Sequence, residues 1–197
     1  DNRLLSAGDV NDDGFEDVLL GRWDHDVNYR DDGAVYLFHG NANGFESEPF
    51  QTWQGQKRFA YFGRQIAVGQ LVGDDRLDLV VGASRDYLDE EKERQGAVYV
   101  YEGVLGGFSP LPIQTFWGDK SDDRLGSSVT VCDFNGDGYG DLAAGGINIE
   151  NEEDANTQSN QGGIHIYAGS EEGLAAQPTQ ILWGQRLSNV DGDNAVW

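Results

Sequence analysis

Two stretches of this chain place oxygen-bearing side chains at positions 1, 3, 5 and 9 and a glycine at position 6. They are Asp9-Val10-Asn11-Asp12-Asp13-Gly14-Phe15-Glu16-Asp17 and Asp133-Phe134-Asn135-Gly136-Asp137-Gly138-Tyr139-Gly140-Asp141. Hard divalent cations select such sets: Ca²⁺ takes six to eight oxygen ligands at about 2.3–2.6 Å, whereas Mg²⁺ keeps waters and demands octahedral geometry. The first loop offers the side chains of Asp9, Asn11, Asp13 and Asp17 and the carbonyl of Phe15. The other offers Asp133, Asn135, Asp137 and Asp141 and the carbonyl of Tyr139. Gly14 and Gly138 permit the positive φ that wraps backbone around an ion. Position 12, a Glu in an EF-hand, is Leu20 or Ala144 here, so the closing ligand is the Asp at position 9 and the loops are not EF-hands. Two Ca²⁺ sites are expected.

A related stretch between them departs from the pattern. Gln70, Val72, Asp74, Asp75, Arg76 and Asp78 fill positions 1, 3, 5, 6, 7 and 9, leaving Asp74 and Asp78 as weaker metal candidates. That turn is expected to be held by direct hydrogen bonds.

The elements that position these loops recur as well. Gly33-Ala34-Val35-Tyr36-Leu37-Phe38-His39-Gly40 matches Gly96-Ala97-Val98-Tyr99-Val100-Tyr101-Glu102-Gly103 and Gly162-Gly163-Ile164-His165-Ile166-Tyr167-Ala168-Gly169, at a period of 63 to 66 residues. Gln51-Thr52-Trp53-Gln54-Gly55 likewise matches segments ending in Trp117-Gly118 and Trp183-Gly184, whose tryptophans are expected to pack between repeats. Each repeat reads as four short strands. Strand one enters the acidic loop (Leu4–Gly8, Gln65–Gln70, Ser127–Cys132) and strand two leaves it (Asp17–Gly21, Leu77–Ala83, Asp141–Gly145). Strand three is the Gly-Ala-Val-Tyr run and strand four ends at Trp-Gly. Strands two and three are apolar on nearly every residue, which predicts burial on both faces. Repeats of this kind predict an all-β fold, a β-propeller of four-stranded antiparallel blades, with a β-sandwich as the alternative. The repeats span approximately 1–61, 62–124 and 125–197 of a single segment, 1–197. Closed propellers need at least four blades, so the register predicts an excerpt of a larger propeller.

Composition narrows the partners. With 13 Lys and Arg against 35 Asp and Glu the net charge is −22, which argues against nucleic acid and anionic membrane surfaces. No run of apolar residues reaches membrane-spanning length, so no membrane insertion is expected. The one cysteine, Cys132, is expected to be a small buried hydrophobe and allows no internal disulfide. His25, His39 and His165 fall at non-equivalent repeat positions, and Ser127-Ser128 lacks a nucleophile-elbow context, so no catalytic residues are expected. His165 replaces Tyr36 and Tyr99 and reads as a core imidazole.

A meander puts the acidic loops on one face of the disc and the long two-to-three loops, Arg22–Asp32, Arg85–Gln95 and Ile147–Gln161, on the other. Trp23 and Tyr87, in those loops, are the ligand-face candidates, because exposed aromatic rings there would suit a glycan.

Phe62-Gly63, followed by Gly82-Ala83-Ser84, resembles the FG and GAP elements of the FG-GAP repeats of integrin α-subunit-type β-propellers and their bacterial relatives. Leu125-Gly126 and Gly145-Gly146-Ile147 are the third-repeat counterparts. The calcium loop falls between the two elements, as that family places it. The resemblance covers essentially the whole chain. It implies a seven-bladed, extracellular, secreted or cell-surface propeller, with structural Ca²⁺ on one face and a protein or glycan ligand on the opposite face. An adhesion-like interaction module and an accessory or carbohydrate-binding propeller of a secreted hydrolase or lyase both remain open.

Overall fold

The computed structural model describes residues 3–71, 73–74, 76–150 and 161–184. Three four-stranded antiparallel sheets follow one another along the chain, and no described residue is helical. Blade one holds β1 (Arg3–Gly8), β2 (Asp17–Arg22), β3 (Ala34–Phe38) and β6 (Gln51–Gln54), with the small hairpin β4 (Gly40–Asn41) and β5 (Gly44–Phe45) between β3 and β6. Blade two holds β7 (Phe62–Gly69), β8 (Asp78–Ala83), β9 (Ala97–Tyr101) and β12 (Gln114–Trp117), with the equivalent hairpin β10 (Gly103–Val104) and β11 (Gly107–Phe108). Blade three holds β13 (Ser128–Cys132), β14 (Asp141–Gly146), β15 (Gly163–Tyr167) and β16 (Gln180–Trp183). Each sheet is a plain meander, strands one to four in order. The four-strand repeat, its strand bounds to within about three residues, and the propeller-blade architecture all match the sequence pattern.

Side-chain alternation divides blade two between two cores. Leu79 and Val81 of β8 and Tyr101 of β9 point at blade one, where they meet Leu19, Val35, Leu37 and Trp53. Val80 of β8 and Val98 and Val100 of β9 point at blade three, where they meet Leu142, Ala144 and Tyr167. β8 and β14 are therefore buried at every residue, as the apolar runs predict. β2 differs: Leu19 points into the seam with blade two, while Val18 and Leu20 point away from it and are half-buried. On the far side of blade three, Ile164 and Leu182 are exposed in the same way.

The paired glycines of the repeat have a packing reason. Gly63 and Gly126, at φ +80° and +82°, start strand one of blades two and three. A Cβ on Gly63 would sit 2.7 Å from the Ala34 carbonyl, and one on Gly21 would sit 2.3 Å from the Gly63 carbonyl. Gly82 and Gly126 repeat the arrangement at the next seam. Backbone thus meets backbone between successive blades, which only residues without Cβ permit.

Each blade also latches onto the next. Gln51 Nε2 donates to the Phe108 carbonyl at 2.6 Å, Trp53 Nε1 to the Ser109 carbonyl at 3.0 Å, and His39 Nε2 to the Gly106 carbonyl at 2.9 Å. Trp53 packs between blades as expected, against Tyr101 and Phe108. In blade two that position is Phe116, which stacks on Tyr167 with ring centroids 3.9 Å apart. Trp117 lies one residue on, against Tyr99 of its own blade and Lys57 of the preceding linker.

Cys132 corrects an expectation: it is exposed, not buried. β13 is the edge strand of its blade, and its alternation sends Val129 and Val131 to the core and Ser128, Thr130 and Cys132 outward.

Candidate functional site

The acidic loops sit where strand one hands over to strand two, and the first and third are wound alike, the third adding a bond from the Gly136 N–H to Asp133. Asp9 accepts the N–H groups of Asp13 (3.0 Å) and Gly14 (2.7 Å), and Asp133 those of Asp137 (3.2 Å) and Gly138 (2.9 Å). The amide oxygen of Asn11 or Asn135 accepts the N–H at position 5, and the carboxylate of Asp13 or Asp137 accepts the N–H of Phe15 or Tyr139. Gly14 and Gly138 take φ +88° and +93°, as expected for position 6. Position 4 is left-handed as well, Asp12 at +59° and Gly136 at +77°. The pattern 1, 3, 5, 9 gives no hint of that requirement. The Gly138 N–H foremost, with those of Gly136 and Asp137, holds the Asp133 carboxyl below the usual carboxylate range.

Position 9 has a second role beside that of a closing ligand. Asp17, Asp78 and Asp141 are all buried, and each uses both carboxylate oxygens on backbone. One oxygen accepts the N–H at loop position 2: Val10, Leu71 or Phe134, at 2.8, 2.7 and 2.9 Å. The other accepts the N–H of the glycine after strand three: Gly40, Gly103 or Gly169, at 2.9, 2.8 and 2.8 Å. This clamp ties the acidic loop to the turn beside it, and it is the same in the blade whose loop lost its cation pattern. The signal for it was present in the sequence: Asp78 persists where the ligands at positions 1 and 3 do not.

In that second loop Asp74 accepts the Arg76 N–H at 3.0 Å and lies 3.6 Å from its guanidinium. The turn is held by hydrogen bonds, as expected, with Arg76 supplying a cation from the chain itself.

Among the described residues no three His, Cys, Asp or Glu side chains already converge on an ion position. In this conformation the loop oxygens face their own N–H groups. The donor set nonetheless fits a hard cation. It is oxygen only, it carries three carboxylates per loop, and a Cβ at either position-6 glycine would meet nothing within 4 Å. Each carboxylate and amide oxygen that takes one N–H keeps a second lone pair for a cation. The residues that would hold it are Asp9, Asn11, Asp13, Phe15 and Asp17 in one loop, and Asp133, Asn135, Asp137, Tyr139 and Asp141 in the other.

On the opposite face Trp23 and Tyr87 are half-buried rather than open platforms. Trp23 packs edge-on to Tyr61 at 4.6 Å and carries Arg64 over its ring at 5.9 Å. Tyr87 carries Lys57 over its ring at 4.2 Å, and the same ammonium donates to the Tyr87 and Leu88 carbonyls. Beneath them the start of strand three differs from blade to blade. His25 shares a 2.5 Å hydrogen bond with the Tyr36 hydroxyl, and the Tyr99 hydroxyl donates to the buried Asp86 at 2.6 Å. In blade three the residue is His165, which is buried as expected, lies 3.4 Å through Nδ1 from the Tyr167 hydroxyl and has no hydrogen-bond partner at Nε2. Residues 151–160, which include Glu152, Glu153 and Asp154 of the longest two-to-three loop, lie outside the described residues.

The family model described as FG-GAP repeat matches residues 125–167, the third repeat from its FG position to the end of β15. The chain is 33% identical to integrin alpha-3 of Mus musculus over 156 residues, 79% of this chain. It is 33% identical to integrin alpha-6 of Homo sapiens over 153 residues and 34% identical to integrin alpha-7 of Homo sapiens over 159. The matched segment spans 12 to 14% of the length of these relatives.

Proposed function

We propose that this chain, which carries an FG-GAP repeat and is similar over 79% of its length to an integrin α-subunit, is an adhesion-related, extracellular β-propeller module whose first and third acidic loops each take a structural Ca²⁺. The observation that carries the reading is that those two loops wind alike around oxygen donors, set against the second loop, where Arg76 stands in for a cation. Calcium draws together carboxylates that otherwise repel, and so stiffens the turn at the entrance to strand two. It also offsets part of the −22 charge.

Recognition belongs to the opposite face, where long loops stand on a rigid scaffold. A protein ligand suits that face better than a glycan, since the rings of Trp23 and Tyr87 are covered by cations. The module binds rather than catalyses: His25 and His165 are engaged beneath the two-to-three loops and His39 in the latch between blades.

Isothermal titration of chelator-treated protein with Ca²⁺ tests the cation reading. Two sites are expected, one lost in Asp137→Ala and neither in Asp74→Ala. No heat of binding, or a full site lost in Asp74→Ala, would sink it.

A further inference from the structure

The charges of the molecule are segregated. Among the described loops, those between strands one and two hold a single basic residue, Arg76, and the turns between strands three and four hold none. The remaining loop cations stand on the opposite face. There, Arg30, Arg94 and Arg124 each have a carboxylate within 4 Å. Arg58, Arg64 and Arg85 have none among the described residues. Arg22, Lys57 and Lys92 have none either, Lys57 and Lys92 donating to backbone carbonyls instead, but among the described residues only Arg58, Arg64 and Arg85 rest on aromatic rings along one seam without a carboxylate or a carbonyl.

The three stand on aromatic rings between blades one and two, Arg64 and Arg85 at the Trp23–Tyr61 pair and Arg58 at Phe59, two residues from Tyr61. Arg85 lies over the Tyr61 ring at 4.6 Å and donates to its hydroxyl at 3.1 Å. Arg64 lies 5.9 Å from both the Tyr61 and Trp23 rings, and Arg58 lies over Phe59 at 4.7 Å.

The repeat supplies an internal control, because the seam between blades two and three has the same backbone. Phe59 and Tyr61 are left-handed at φ +61° and +59°, and their counterparts Asp122 and Arg124 at +65° and +55°. The N–H groups of Tyr61 and Phe62 bond to Asp31 and Asp32, and those of Arg124 and Leu125 to Arg94 and Gln95. The side chains are opposite in kind. Phe59, Tyr61, Arg64 and Arg85 become Asp122, Arg124, Ser127 and Asn148, and Arg58 becomes Ser121. Those replacements satisfy one another. Asp122 pairs with Arg94 and Arg124, Asn148 donates to the Asp122 carbonyl, Ser127 to the Arg124 carbonyl, and Ser121 to the Glu91 carbonyl. The fold therefore does not require unpaired arginines at this place.

We propose that the blade one–blade two seam, through Arg58, Arg64 and Arg85, docks a carboxylate-bearing segment of a protein ligand. A guanidinium resting on an aromatic face keeps in-plane N–H groups for a ligand, Arg85 retaining those it does not spend on the Tyr61 hydroxyl, and such a fork matches a carboxylate. The same stacking covers the ring faces that a neutral sugar would need, so the seam suits an acidic peptide better than a glycan stacked on the rings. The proposal rests on the assignment of this face to recognition and narrows its partner.

Fluorescence anisotropy of a labelled hexaglutamate peptide against the full chain tests it, in calcium and at about 150 mM salt, where the screening length is about 8 Å. Saturable binding is expected, weakened about tenfold or more by Arg64→Gln with Arg85→Gln, and about threefold by Arg58→Gln. Arg58 is exposed and lies over the Phe59 ring, so its removal leaves the buried core untouched. Arg76→Gln, on the acidic-loop face, leaves the affinity unchanged. The proposal is overturned by the absence of saturable binding, by an equal loss in Arg76→Gln, or by binding of a heparin hexasaccharide in preference to the peptide. None of these outcomes alters the calcium titration, so the two readings fail separately.

Discussion

Replacing Asp78 with Ala removes both acceptors of the blade-two clamp and leaves the N–H groups of Leu71 and Gly103 without them. Both residues are buried, so water does not substitute. An unsatisfied buried donor costs about 1–3 kcal/mol, which puts the loss at roughly 2–6 kcal/mol. A chain of this size loses about 2–4 °C of Tm per kcal/mol, so a drop of roughly 5–20 °C follows. Asp78→Asn returns one acceptor but turns an NH₂ toward the other N–H, and recovers at most about half of the loss. The assay is urea unfolding of wild type and both variants, with calcium and with chelator. The second loop is read as holding no ion, so the loss in Asp78→Ala should be the same in both conditions. Asp141→Ala should lose a similar amount in chelator and a larger amount in calcium. A cost below about 1 kcal/mol for Asp78→Ala would refute the clamp. A calcium-dependent cost there would refute the separation of clamp from cation site.

Two further outcomes are expected. Gly63→Ala places a Cβ 2.7 Å from the Ala34 carbonyl at φ +80°, so it should cost more than the roughly 1–2 kcal/mol of left-handed strain alone; a denaturant midpoint within error of wild type would refute the backbone contact. Burial, above all, pushes the Asp86 carboxyl up, against the Tyr99 hydroxyl, the Tyr87 N–H and Lys57, which draw it down. A raised folded pKa means that its stabilisation is fully present below the unfolded value of about 3.9 and is lost as pH rises through the folded value. Asp86→Asn, neutral throughout, should therefore gain on wild type as pH is raised from 4 to 7, and a Tm difference that stays flat with pH would show the carboxylate to be no burden.

The repeat made the fold legible. Two copies of Gly-Ala-Val-Tyr and the related Gly162-Gly163-Ile164-His165 fixed strand three in each blade, and the hairpins β4–β5 and β10–β11 show only as a glycine recurring four residues after Gly40 and Gly103. The donor set of the acidic loops was legible for the same reason. Two facts were not. A position-9 Asp that ligates and one that clamps backbone are the same letter, and only the persistence of Asp78 beside Val72 and Arg76 separates the roles. Cys132 read as a small buried hydrophobe at the end of strand one, but on an edge strand a single step in register decides which face it takes. The seam arginines were visible one by one. That they lack carboxylates is a property of three-dimensional neighbours, which composition hides.

The latch between blades gives the molecule a direction. Trp53 donates to Ser109, and Gln51 to Phe108, across 56 and 57 residues of sequence. On a ribosome adding about 5–20 residues per second, the acceptors for blade one emerge roughly 3–11 s after its last strand. Through that interval Trp53 has neither its carbonyl nor the rings of Tyr101 and Phe108. Blade one thus waits, with a large aromatic side chain uncovered, for the blade that follows it, and the same holds at Phe116 until Tyr167 arrives. Folding of such a chain runs one blade behind synthesis, and a pause or break between blades leaves the tryptophan of the preceding blade as the surface that a chaperone, or another chain, meets first.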